Sequence, residues 1–232
     1  MTESKHEPTS VVAGGEHYKF LVVVLTVFTT IATAVVASLQ ADANIRASSN
    51  NIASQEYAIQ TSSELQRQGI KSAYDINVMS GYLKDAQEGV VFEMTALEQE
   101  ETGDSYGAAL SWLKAEVAQA RAEKARLFSV FFGDPRYAPE TEEALPDTDA
   151  YLADLFAQAS ELAAKQNFAA DEYIRWNNKA DAYTGVLTIL SVAFFQFGLA
   201  QALSPRLRLL FALFGLITLV GSMVWTMIIM VM

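Results

Sequence analysis

Cysteine is absent from this 232-residue chain, and histidine occurs only twice, at His6 and His17. Without cysteine no disulfide can form, and thiols say nothing about the redox compartment. Histidine is the most frequent general acid or base in enzymes, so its absence after residue 17 argues against most enzyme classes. We therefore predict a non-enzymatic protein with no catalytic residues, no metal site and no cofactor.

Positive charge is also scarce. The chain has 16 Lys and Arg against 27 Asp and Glu, a formal net charge of −11. Between residues 40 and 182, acidic residues outnumber basic ones by 24 to 12. An acidic surface repels phosphate backbones, so nucleic acid is not an expected partner. No small-molecule substrate is evident either.

Three apolar runs contain no charged residue, at 20–39, 183–203 and 209–231. Crossing roughly 30 Å of hydrocarbon takes about 20 such residues, so we predict three transmembrane helices and membrane lipids as neighbours. A secretory signal peptide is the alternative for the first run. Its apolar core is usually only about 7–15 residues long, which favours a retained helix.

A short basic turn, 204–208, joins the last two spans into a hairpin. Proline suits a helix terminus and would be costly deep inside a span. The turn residues that define this hairpin are Pro205, Arg206 and Arg208.

Short loops rich in Lys and Arg stay on the cytoplasmic side of a membrane. The tail 1–19 carries Lys5 and Lys19, and an even number of crossings separates it from the basic turn. We predict a bacterial inner-membrane protein with this tail in the cytoplasm. Residues 40–182 and the C-terminus are then outside.

The acidic middle region, 40–182, is rich in helix-forming Ala, Glu, Gln and Leu. In its last part, residues recur at alternating spacings of three and four, which is typical of packing against a partner helix. We predict one helix from about Asp149 into the second span, with Asp147 or Thr148 as its N-cap. This bundle seam is Leu152, Leu155, Ala159, Leu162, Gln166, Ala169, Tyr173, Trp176, Ala180 and Tyr183.

Two further seams have similar spacing. The second is Ile76, Met79, Leu83, Ala86, Val90, Met94 and Leu97, and the third is Leu110, Leu113, Val117, Ala120, Lys124, Leu127 and Phe131. A turn at 102–107 separates them, and a proline-containing loop follows at 132–146.

The predicted fold is all-α, with three transmembrane helices and an extramembrane antiparallel helical bundle that resembles a coiled-coil stalk. The first span continues outward as a long helix. The helix predicted at 108–131 is too short to cover its neighbours, which favours a homo-oligomer.

Polar residues within the spans form either interhelical contacts or a pore lining. They are Gln196, Gln201, Thr188 and Ser191. Aromatic rings favour the membrane interface, and Trp176, Tyr183 and Trp225 are predicted anchors there. Partner docking is the alternative role of Trp176.

Two other patterns indicate loops and not a catalytic or metal-binding site. Gly103-Asp104-Ser105 is similar to a lipase nucleophile block but has no histidine after it. The acidic groups fit no calcium-binding EF-hand loop, which leaves weak divalent-ion binding as the alternative to a solvated loop. They are Glu98, Glu100, Glu101 and Asp104, and Glu140, Glu142, Glu143, Asp147 and Asp149.

Two short strings, Asn51–Tyr57 after the first span and Ser204–Arg208 in the hairpin, carry a likeness to a known group. With this layout the chain resembles a group of uncharacterised bacterial membrane proteins. These have one N-terminal span, a helical middle domain and a C-terminal transmembrane hairpin. The resemblance implies this architecture and no activity or functional residues.

Three functions are consistent with this pattern. The leading hypothesis is a membrane scaffold or accessory subunit that self-associates, or docks onto a larger membrane complex, through its helical stalk. The alternatives are a homo-oligomeric channel lined by the second span and a ligand sensor that uses the exterior bundle. The cytoplasmic parts are small for a signalling output.

Overall fold

The computed structural model describes residues 10–139, 141 and 144–232, with side chains from residue 18 onward except those of Pro205 and Arg206. It contains five helices: α1 (Ser10–Glu101), α2 (Ser105–Phe128), α3 (Val130–Gly133), α4 (Thr148–Ala202) and α5 (Pro205–Val231). The described ranges contain no strand. The all-α prediction is therefore confirmed for them.

Three helices are long and apolar enough to cross a membrane: those containing Tyr18–Glu101, Thr148–Ala202 and Leu207–Val231. This is consistent with a membrane protein. α1 and α4 each continue well beyond their apolar segments without interruption, as the sequence predicts. α4 starts at Thr148, and the Asp147 carboxylate accepts a hydrogen bond from the Ala150 amide at 2.9 Å, which satisfies a free N–H group of the first turn.

The chain forms two compact units. The first contains the described residues up to Ser54 together with Asn167–Met232. In it, α1, α4 and α5 pack around an apolar core that includes Val36, Leu190, Phe197 and Leu219.

The second unit, Gln55–Gln166, holds the distal part of α1, then α2 and α3, and the start of α4. α1 and α2 are joined by Thr102–Asp104. Gly103 has a φ of +79°, a conformation that favours glycine at a helix C-terminus. Asp104 then caps α2 by accepting a hydrogen bond from the Gly107 amide at 2.9 Å.

One boundary differs from the prediction. The helix expected over 108–131 ends at Phe128, and α3 begins at Val130 after an extended Ser129. Phe131 is therefore part of a separate turn of helix and is fully buried. The change in direction places its ring in the core of the second unit.

Candidate functional site

Small side chains form the interface between α1 and α2. The buried residues of α2 repeat at spacings of three and four and are Ala108, Ser111, Ala115, Ala118 and Ala122. A methyl group at Gly89 on α1 would lie 3.7 Å from both the Ala118 Cβ and the Ala115 carbonyl oxygen. The backbones are therefore close together.

Polar contacts fix the register of this hairpin. The Ser111 hydroxyl donates to Gln99 Oε1 at 2.8 Å, and Trp112 Nε1 donates to Glu100 Oε1 at 2.8 Å. The Gln119 amide also hydrogen-bonds to Glu93. α2 is held firmly on α1 by its alanine face.

The larger apolar residues of α2 point away from α1. We define the α2 outer stripe as Leu110, Leu113, Val117, Ala120, Lys124 and Leu127, and all six are exposed. Leu113 is 57% exposed and Leu127 is 82% exposed. The third predicted seam therefore lies on the surface of the described chain from Leu110 to Leu127, and its partner helix stays a prediction.

Most residues of the second predicted seam are also exposed to solvent. Five of its residues on α1 are exposed: Ile76, Leu83, Val90, Met94 and Leu97. The inward face of α1 carries Gly89 and Ala96 instead. Close packing of small side chains leaves the bulkier apolar residues of both helices at the surface.

Charged residues flank the α2 outer stripe asymmetrically. Lys114 and Arg121 follow stripe residues Leu113 and Ala120, whereas Glu116 and Glu123 precede Val117 and Lys124. Glu116 and Arg121 have no ion-pair partner among the described residues of their own chain. One edge of the stripe is therefore basic and the other acidic.

An aromatic cluster joins α3, the following loop and α4. The Tyr151 ring lies 4.7 Å from that of Phe131 and 5.4 Å from that of Tyr137. The buried Tyr151 hydroxyl donates to the Asp75 carboxylate on α1. Burial and this hydrogen bond raise the pKa of Tyr151, so the phenol stays protonated and remains a donor.

Next to this cluster lies a polar cavity of about 420 Å³. Arg136 spans its edge, donating to the Asp134 carboxylate from Nη2 at 2.8 Å and Nε at 3.2 Å, and to Asp154 Oδ2 from Nη1 at 2.6 Å. Tyr137 also donates to Asp154 Oδ2, at 2.8 Å. The cavity is lined by Gln68, Lys71, Val130, Asp134, Arg136, Tyr137, Tyr151, Asp154 and Leu155.

Acid is expected to loosen this loop through Asp134. The hydrogen bonds from the Arg136 side chain, and then from its backbone, lower the pKa of this carboxyl. The ionised form therefore stabilises the fold above the unfolded carboxyl pKa of about 3.9, and that contribution is lost as the pH falls through the lower folded value.

We predict that Asp134→Asn lowers the thermal stability of the second unit at pH 7 and that the difference from the wild type shrinks toward pH 2. Near-ultraviolet circular dichroism of the tyrosine cluster reports this transition. The same loss of stability at both pH values would show that the carboxylate charge is not involved.

Two of the four predicted polar residues of the spans contact neighbouring helices of the same chain. Thr218 Oγ1 on α5 lies 3.4 Å from Gln196 Oε1, and Gln201 Nε2 lies 3.4 Å from Thr26 Oγ1 on α1. Thr188 and Ser191 are exposed, and each donates to the carbonyl four residues earlier. A pore lining by these four residues stays a hypothesis.

Close packing also joins α4 and α5. Phe197 is fully buried, and a methyl group at Gly215 would lie only 2.7 Å from the Phe197 Cε1 atom. Glycine is required at this position because the ring occupies the space of a side chain.

The predicted hairpin has its turn at Leu203–Ser204. Pro205 lies in the first turn of α5. Arg208 Nη2 donates to the Leu203 carbonyl at 3.1 Å, and the Arg208 carbonyl accepts from Tyr18 Oη at 3.0 Å. The side chain of Arg206 lies outside the described residues, as do His6, Lys5 and the side chain of His17.

The predicted interface aromatics differ in their surroundings. Tyr183 is buried, Trp176 is half-buried and Trp225 is exposed. All ten residues of the α4 seam are buried or half-buried, including Leu152, Leu155, Leu162 and Tyr173. No membrane level is fixed by these contacts, so the anchor role stays a prediction.

The residues of the two acidic groups differ in what the structure shows for them. Asp104 and Asp147 cap α2 and α4, whereas Glu140, Glu142 and Glu143 lie outside the described residues. Within the described ranges, no group of three or more His, Asp and Glu side chains is arranged to hold a metal ion.

Sequence reasoning missed the contacts made by Asp75, Arg136 and Tyr151. These residues are far apart in the chain and form no local motif. The alanine spacing on α2 marks its inward face, but the leucine spacing on its other side follows the same rule, so spacing alone does not orient the helix.

Comparisons with known proteins give no relative from which function can be transferred. No protein-family model, curated protein or solved structure matches the chain. The resemblance to three-span bacterial membrane proteins therefore rests on the layout and on the two short strings, Asn51–Tyr57 and Ser204–Arg208.

Proposed function

We propose that this chain is a non-enzymatic membrane scaffold or accessory subunit that self-associates through the α2 outer stripe. The observation that carries the proposal is the outward position of this stripe on a helix already packed by its opposite face. Such a face needs a partner to remove its apolar surface from water. The partner we propose is the same stripe of a second copy.

The spacing of the stripe fits a two-stranded coiled coil. In heptad notation, Leu110, Val117 and Lys124 occupy a positions, and Leu113, Ala120 and Leu127 occupy d positions. Leucine at d favours two strands, and a single lysine at a specifies register at some cost in stability.

The flanking charges favour a parallel pair. Glu116 is at a g position and Arg121 is at the e position five residues later, so in a parallel pair Glu116 faces Arg121 of the second copy. In an antiparallel pair, e positions face e positions and g positions face g positions. Lys114 and Arg121 would then meet like charges.

Cysteine cross-linking tests both direction and register, because the natural chain has no cysteine. We expect Ala120→Cys to form an intermolecular disulfide readily under mild oxidation, since corresponding d positions approach within the roughly 4.4–6.8 Å that disulfides require. Ala164→Cys, exposed on α4, is the matched control and is expected to cross-link poorly. Equal yields at both positions would contradict the proposal.

Charge reversal gives a second arm of this experiment. In the Ala120→Cys background, Glu116→Lys or Arg121→Glu alone places like charges together and is expected to lower the cross-linking yield. The double variant restores opposite charges and is expected to recover it. A defined, stoichiometric partner protein in place of a second copy would instead support docking onto a larger complex.

The polar cavity favours the ligand sensor as a second candidate. It has charged and phenolic groups on one side and the exposed Lys71 on the other. The channel alternative has no comparable support, since Gln196 and Gln201 hydrogen-bond to threonines of their own chain.

A further inference from the structure

A groove with a basic rim lies in the first unit, beside Trp176. A groove of about 180 Å³ between α4 and α5 is lined by Arg175, Asn178, Lys179, Ala182, Ile229 and Met232. Its rim is polar and cationic, and the remaining lining is apolar. This combination matches an amphipathic molecule with an anionic head.

The cations around this groove differ in their pairing. Arg46 pairs with Asp42 at 2.9 Å and Arg175 pairs with Glu172 at 3.0 Å. Lys179 is half-buried and has no ion pair within the described part of the chain. A cationic group without a counter-charge can bind an external anion, so Lys179 is available for one.

The position of Lys179 along α4 fits the level of lipid headgroups. It precedes Tyr183, the first residue of the charge-free run, by four residues, or about 6 Å at the helical rise of roughly 1.5 Å per residue. The polar headgroup layer extends about 5–8 Å beyond the hydrocarbon on each side. A phosphate in that layer is within reach of this ammonium group.

We propose that this groove binds an anionic phospholipid, with Lys179 and Arg175 holding its phosphate and Ala182 and Met232 contacting an acyl chain. Zwitterionic lipids are disfavoured because their headgroup would bring another cation to the Trp176 ring, which already has three cationic side chains around it. Arg46, Lys179 and Arg175 lie 4.7, 5.2 and 5.5 Å from the Trp176 ring centroid.

The test is native mass spectrometry of the full chain released from nanodiscs of phosphatidylglycerol and phosphatidylcholine in equal amounts. We expect retained phosphatidylglycerol in the wild type and about fivefold less in Lys179→Ala, the effect of one basic residue at a membrane surface. Lys165→Ala is the matched control, because Lys165 is on the same helix and pairs with Glu161 at 2.6 Å.

Three results would overturn the proposal: equal retention by the wild type and Lys179→Ala, equal retention of both lipids, or the same loss in Lys165→Ala. Millimolar inorganic phosphate distinguishes the source of the anion. Displacement of the lipid by phosphate alone would assign the site to a soluble phosphate and overturn the lipid proposal. Persistence of the lipid in phosphate supports it.

Discussion

Replacing Leu113 with aspartate is expected to abolish self-association while leaving the fold of the monomer intact. Leu113 is a d position of the α2 outer stripe and is 57% exposed in the isolated chain, so the monomer loses little packing. In the parallel pair, burying the exposed part of each leucine contributes about 1–2 kcal/mol, and two facing carboxylates add repulsion. We expect the dissociation constant to rise by at least about 100-fold, since each 1.4 kcal/mol is tenfold.

The measurement is light scattering or intermolecular energy transfer in mild detergent across a range of protein concentrations. Leu145→Asp provides the control, because Leu145 is 77% exposed and lies in the loop before α4. A dimer as stable in Leu113→Asp as in the wild type would contradict the coiled-coil proposal. A monomeric wild type at every concentration would do the same.

Phe131→Ala is expected to produce the largest loss of stability in the second unit, about 3–5 kcal/mol. Phe131 is fully buried, contacts Tyr151, and belongs to the cluster that holds α3 and the loop on α4. Truncation leaves a cavity that the flanking tyrosines cannot fill, because their hydroxyls are held by Asp75 and Asp154.

Hydrogen–deuterium exchange of the amides around Tyr137 and Tyr151 measures this free energy. Phe128→Ala is a closely matched control, since Phe128 is the last residue of α2 and 65% exposed, and we expect a change within about 0.5 kcal/mol. Similar losses in the two variants would show that burial at residue 131 is not what stabilises the loop.

The α4 helix could be predicted from its sequence because ten seam residues, nine of them apolar or aromatic, keep alternating spacings of three and four. No glycine or proline lies between Thr148 and Gly185. The structure places all ten residues in buried or half-buried positions.

α2 could not be oriented in the same way. Its leucine face and its alanine face both repeat at spacings of three and four, and hydrophobicity alone favours the leucines. The alanines face inward because Gly89 and Ala96 on α1 permit close approach of the two backbones. That preference depends on residues of another helix, such as Gly89, which lies 26 residues before Ala115 in the chain, and the spacing within α2 does not reveal it.

The contacts of the loop after α3 could not be predicted from the sequence either. Arg136 lies beside Asp134 in the chain, but Asp154 is 18 residues away and Asp75 is 76 residues from Tyr151. Long-range contacts of this kind depend on the complete packing of several helices. Sequence spacing placed Asp134 and Arg136 in a loop and assigned no contact to Asp75, Tyr151 or Asp154.

The threonines of the first apolar segment have a consequence for the order of biogenesis. Thr26, Thr29, Thr30 and Thr33 each donate to the carbonyl four residues earlier in α1. Their hydroxyls are therefore satisfied before any neighbour arrives, which lowers the cost of placing the helix alone in hydrocarbon. Insertion of this helix need not wait for synthesis of the hairpin more than a hundred residues later. The bond from Gln201 to Thr26 is then added only when the helices assemble.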